Sequence, residues 1–193
     1  MTRRGFTLLE ILVAVSLFTV AIFIIIVTLF SISNAQKKAL AIQNVQDNMR
    51  FAFEAMTKEI RTGKIFHCGT GTPLTNPANC QFPNPGASLS FLNTAGETVT
   101  YQRQGNQLVK STTGTLPCDE PLGPVQDCLK ITSPQLVNIT RLNFYVDGSV
   151  GGDNKQAIAT IVMEGEVIGP PGVGTTNINL QTTVSKRGLI DQP

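Results

Sequence analysis

The chain has 193 residues, enough for one domain of ordinary size plus a long helix. Lys and Arg number 15 against 13 Asp and Glu, a net charge of +2 with no long basic run, so no nucleic-acid partner is expected. There is one histidine, His67, which leaves little for histidine-based catalysis, and no nucleotide-binding glycine loop or Ser/His/Asp set is visible.

The N-terminus reads MTRRGFTLLEILVAVSLFTVAIFIIIVTLFSIS. Arg3 and Arg4 precede Gly5, and an apolar run from Phe6 to Ile32 follows, broken by one acid, Glu10. Runs of about 18 apolar residues or more read as membrane-spanning helices. At about 1.5 Å per residue, Ile11 to Ile32 is long enough to cross a hydrocarbon core of about 30 Å. A cleaved secretory signal would have an apolar core of about 7–15 residues and a small-residue cleavage site. This run is roughly twice that length, and no such site follows it. An acid in an apolar segment costs roughly 2.5–3.5 kcal/mol on insertion scales. Glu10 therefore needs a partner or a place at the membrane surface.

The stretch Gly5-Phe6-Thr7-Leu8-Leu9-Glu10, after two arginines and before the apolar run, resembles the cleavage and methylation signal of type IV pilin-like proteins. That family holds type IV pilus subunits, type II secretion pseudopilins and competence pseudopilins. The resemblance implies that a prepilin peptidase cuts between Gly5 and Phe6, that residues 1–5 are a leader, and that mature Phe6 is N-methylphenylalanine. It also implies that Glu10 pairs with the N-terminal amine of a neighbouring subunit during assembly. Such pairing would make Glu10 a register device, because a carboxylate left unpaired in an apolar bundle costs several kcal/mol. Arg3 and Arg4 face Lys37 and Lys38 across the membrane, so the positive-inside rule alone does not orient the chain. The resemblance does, with the N-terminus cytoplasmic, the C-terminal domain periplasmic, and a later place in a filament at the cell surface.

The helix is expected to continue past the membrane. Ile42, Val45, Met49, Ala52 or Phe53, Met56 and Ile60 alternate by three and four, an amphipathic stripe that fits packing on a sheet. Arg61-Thr62-Gly63 supplies a stop signal, with a cation in the last turn and glycine at the cap. Neither Pro nor Gly occurs between Phe6 and Thr62, whereas many major pilins carry helix breakers in the apolar half.

Beyond Gly63 the chain is expected to be β-rich. Residues 63–86 read as a long loop. Ser88–Asn93, Glu97–Gln102 and Gln107–Ser111 read as a three-stranded meander with turns at Thr94-Ala95-Gly96 and Gly105-Asn106. After a second loop, Leu129–Thr132, Leu136–Val146, Ala157–Met163 and Asn177–Val184 complete the sheet. In Leu136–Val146 the alternation places Leu136, Asn138, Thr140, Leu142, Phe144 and Val146 on one side. The four cysteines, Cys68, Cys80, Cys118 and Cys128, allow three disulfide connectivities. Cys68–Cys80 with Cys118–Cys128 is favoured, because each pair brackets a Pro/Gly-rich loop and closes a short ring. These spacings are wider than the tight pairs of zinc sites. Asp147 to Asp153 carries oxygen ligands at alternate positions, a weak calcium candidate, but Ile158 stands where the twelfth-position Glu would be. No cofactor is expected.

The expected architecture is α+β and pilin-like. A leader covers residues 1–5. A long helix covers 6–62, membrane-spanning over about 6–32 and amphipathic over 35–61. A β-rich domain outside the inner membrane covers 63–193. The expected role is a non-enzymatic minor pilin of a type IV pilus-like filament, priming assembly or sitting at its tip. The alternatives are a minor pseudopilin of a type II secretion system, and an adhesin or DNA-uptake binding module on a pilin scaffold. The partners implied are prepilin peptidase, other pilin or pseudopilin subunits, inner-membrane lipids and an assembly platform.

Overall fold

A computed structural model describes residues 5–69, 76–113, 128–152, 155–168 and 174–188. One helix, α1 (Leu8–Thr62), runs unbroken for 55 residues, about 80 Å. It is long and apolar enough to cross a membrane, and none of the described residues covers its apolar half. Ser16, Thr19 and Thr28 donate their hydroxyls to the carbonyls of Val13, Ser16 and Ile24 at 2.8, 2.8 and 2.7 Å. Satisfied inside the helix, these hydroxyls add little cost in an apolar environment.

Burial begins where the amphipathic stripe begins. Val45, Met49, Ala52, Phe53, Met56 and Ile60 are the buried residues of α1, with Ile42 half-buried at the border. The helix stops at Gly63, whose φ of −71° any residue adopts. Glycine is required there for room: a Cβ would lie 2.6 Å from a ring carbon of buried Phe91.

The β-rich part forms two antiparallel sheets, not one. The first has the order β1 (Lys64–Cys68), β2 (Ser88–Leu92), β3 (Thr98–Gln104), β4 (Gln107–Ser111), β5 (Cys128–Lys130). The second has the order β6 (Val137–Asp147), β7 (Ile158–Val167), β8 (Asn177–Ser185). The break falls after the three-residue β5, where Ser133-Pro134-Gln135 turns the chain and the carbonyl of Ser133 accepts from Leu136 and Val137. The helix stripe and the inner faces of both sheets close one core, which includes Phe91, Tyr101, Ile139, Phe144, Ile161 and Met163.

Three further sequence expectations are corrected. Residues 63–86 are not loop throughout: β1 occupies Lys64–Cys68, and Ala78, Cys80 and Gly86 are bonded into the sheets. β6 does not keep one alternation. Its pairing with β7 shifts between Ile139 and Arg141, so Val137 and Ile139 are buried before the bulge and Leu142, Phe144 and Val146 after it. β7 runs on past Met163 to Val167, because Glu164 and Glu166 take the outer face while Gly165 and Val167 face inward. Gly165 leaves room for its neighbours, since a Cβ there would lie 2.8 Å from Val137 Cγ2 and 3.2 Å from Met49 Sδ.

Candidate assembly interface

Thr7 is the N-cap of α1, in extended backbone at φ −79° and ψ 151°. Its hydroxyl accepts from the Glu10 N–H at 3.3 Å, and its carbonyl accepts from Glu10 and Ile11 at 3.1 and 3.3 Å. Glu10 therefore stands at the third helical position, the Thr-x-x-Glu spacing of a capping box, where the helix dipole favours an acid. Thr7 was legible in the sequence by that spacing and was missed. Glu10 is exposed, and among the described residues its carboxylate has no hydrogen-bond or ion-pair partner. Phe6 and Leu8 are 78% and 83% exposed. Gly5 has no atom within 4 Å of where a Cβ would sit, so nothing in the fold of this chain requires glycine there.

Residues 1–30 match the family model for the prokaryotic N-terminal methylation motif. The chain carries a prepilin-type N-terminus. The long apolar helix and the antiparallel sheets behind it are consistent with a type IV pilin-like protein. No curated protein matches the chain, and no solved structure does. The motif implies processing by a prepilin peptidase and assembly with other pilins. Together with the apolar helix it points to a membrane-anchored, pilus-associated protein.

The β-rich part is held to the helix through polar contacts as well as the core. Glu59 Oε2 accepts from the Tyr101 hydroxyl at 2.8 Å, and Glu59 Oε1 lies 2.6 Å from Lys110 Nζ. Tyr101 is buried; burial, then the charge of Glu59 and its hydrogen bond, push the phenol well above its ordinary range. A raised folded pKa gives stability that is present below the unfolded value of about 10 and is lost as pH rises past it. Tyr101→Phe is expected to cost about 1.5–3 kcal/mol by thermal unfolding. It should also flatten the loss of stability above about pH 10.

Cys68 and Cys80 form a disulfide with Cα atoms 5.8 Å apart, so Cys68 offers no thiol to the neighbouring His67. Gly86 lies against it, where a Cβ would collide with Cys68 Sγ. Cys128 is also disulfide-bonded. Cys118, and with it the Cys118–Cys128 pairing, lies outside the described residues.

Asp147 is tied into the protein. Its Oδ1 accepts from Gln81 Nε2 at 2.6 Å and from the Gly148 N–H at 2.9 Å, and Oδ2 lies 3.5 Å from Lys155 Nζ. Asn79 Oδ1 accepts from both the N–H and the hydroxyl of Ser149. Both carboxylate oxygens of the calcium candidate thus face protein donors, one of them a cation; Asp153 lies outside the described residues. The Gln81 hydrogen bond outweighs the opposing effect of burial and, with the Gly148 N–H and Lys155, holds the Asp147 carboxyl below its usual range. A depressed pKa means that this clasp is present above the ordinary carboxylate pKa and is lost as pH falls through the folded one. Gln81→Ala should move the Asp147 titration, followed by NMR, back up towards an ordinary aspartate.

Proposed function

We propose that the chain is a minor pilin of a type IV pilus-like filament, trimmed after Gly5 and drawn from the inner membrane into the filament by its apolar helix. One observation carries the reading. Among the described residues, a helix with an uncovered apolar half begins three residues after a glycine that has no neighbour crowding it, and bears an exposed, unpartnered acid in its first turn. Phe6 as mature N-terminus would carry an ammonium group four residues from Glu10, and a neighbour's ammonium would satisfy that carboxylate. The unbroken helix and the disulfide-bracketed loop favour a minor over a major subunit. In that role the β-domain lies outside the inner membrane, and the chain primes assembly or caps the tip.

Deleting the gene in the host should remove surface filaments while secretion of hydrolases continues. The reverse result would make the chain a minor pseudopilin of a type II secretion system. A binding module on the same scaffold is favoured by one feature, an open groove of about 570 Å³ beside exposed Phe82, floored by Tyr145, Thr160, Val162 and Gln181. On that reading Phe82→Ala would abolish ligand binding by intact filaments and leave assembly unchanged.

A further inference from the structure

β8 leaves one side of its backbone open. It pairs with β7 in one register, from Ile158 opposite Ser185 to Glu166 opposite Asn177. The same register is bonded beyond both ends: the Val167 N–H donates to Thr176 O at 2.8 Å, and the Lys186 N–H to Ala157 O at 2.9 Å. In an antiparallel ladder, residues that exchange bonds with the partner alternate with residues that do not. The even-numbered residues of β8 therefore bond to β7. Asn177, Asn179, Gln181, Thr183 and Ser185 turn their N–H and C=O groups outward. Among the described residues no strand pairs with this edge.

The other long edges are covered. Cys80 and Gly86 exchange backbone bonds with Val146 and Phe144 of β6, Asn106 O accepts from Ile139, and Ala78 is bonded to Phe66 and Cys68 of β1. Exposed edges are commonly blunted by charge, proline or a bulge. β8, with the sequence NINLQTTVS, has none of these. The side chains above its open groups are amides and hydroxyls.

We propose that the outer edge of β8 accepts an extended strand from a second pilin-class subunit, different from this chain and anchored in the same membrane. The inference rests on the filament reading above. Main-chain bonds would supply the affinity, and half-buried Ile178 and Leu180 would continue the apolar inner face onto the added strand. Two copies do not pair antiparallel through β8. Antiparallel pairing of β8 with itself about Gln181 needs a two-fold axis normal to the sheet. α1 packs on the inner face of that sheet, with Met49 under Gly165, so the axis would reverse it. The two membrane segments would then leave in opposite directions, which one membrane does not allow. A different subunit is free of that symmetry. β8 packs against α1, and the Arg187 N–H just beyond it donates to Arg61 O at 2.7 Å. A strand added there arrives beside the helix, where a second membrane-anchored helix would also cover the apolar half of α1.

The test uses the full chain. In micelles, the amides of Asn179, Gln181 and Thr183 should exchange freely while Ile178, Leu180 and Thr182 stay protected. Protection of the odd-numbered amides in the isolated chain would mean that the chain covers its own edge, and would overturn the proposal. In the host, Gln181→Pro removes only an outward N–H and should lower the assembled fraction about tenfold with little change in melting. Thr182→Pro, which breaks the β7 ladder, should unfold the sheet. If Gln181→Pro also unfolds, the double variant Asn179→Lys, Thr183→Lys takes its place, with the same tenfold loss expected. A photo-crosslinking residue in place of Asn179 should link to a different chain bearing a prepilin-type N-terminus. Links to a second copy, or normal assembly of the edge variants, overturn the inference while the filament reading stands. A chain that retains residues 1–5 removes both.

Discussion

Glu10→Leu is expected to leave the chain inserted in the membrane and to abolish its incorporation into filaments. The substitution makes α1 more apolar, so insertion does not suffer. In an assembled filament it would leave the ammonium of a neighbouring Phe6 buried without its partner. Removing one member of a buried ion pair costs about 3–5 kcal/mol. At about 1.4 kcal/mol per tenfold, that is on the order of a hundredfold to a few thousandfold loss of incorporation. Fractionating membrane and sheared filaments and blotting for the chain measures it. Glu10→Gln separates the charge from the size of the side chain. Gln keeps the length and polarity of Glu, and the Thr7 cap, which is made to the Glu10 backbone N–H, is untouched. If the charge of Glu10 has no partner, Glu10→Gln will assemble normally. If it pairs with an amine, Glu10→Gln will fail nearly as badly as Glu10→Leu.

Met49→Ala is expected to loosen the β-domain from the helix. Met49 is fully buried, with Sδ 3.2 Å from where a Gly165 Cβ would sit, so it packs between α1 and the second sheet. Truncation leaves a cavity between the two. The expected loss is about 2–5 kcal/mol, read as a lower melting temperature of the full chain in detergent. Phe51→Ala is the contrast. Phe51 lies on the same helix but is 63% exposed, so its loss should stay within about 0.5 kcal/mol. Equal effects of the two variants would mean that the stripe does not face the sheets.

The helical half of this arrangement was legible because it is local. The stripe from Val45 to Ile60 repeats every three to four residues, and the structure buries those positions. The turns at Gly96 and Gly105 were legible by their residues, and β4 lies where its alternation placed it. What was not legible depends on residues far apart. β1 is five residues wedged between the helix stop and a Pro/Asn-rich loop, too short for a period to show. The bulge in β6 exists only against β7, so Leu136–Val146 alone reads as one unbroken alternation. The Glu59, Tyr101 and Lys110 cluster joins residues 42 and 51 positions apart, which no local pattern links. At the candidate site the order reverses. Gly5, Phe6 and Glu10 are conspicuous in the sequence, while the fold adds the Thr7 cap and the absence of any packing reason for Gly5.

The most direct measurement is the mass of the N-terminal peptide of the protein taken from membranes of its host. A peptide that begins at Phe6 and carries one additional methyl group is the predicted result. It would establish cleavage after Gly5 and place a charged amine four residues before Glu10. A peptide that still contains Gly5 would contradict that prediction. The chain would then be held in the membrane as an ordinary anchor, with no amine at Phe6 for the Glu10 of a neighbour to meet.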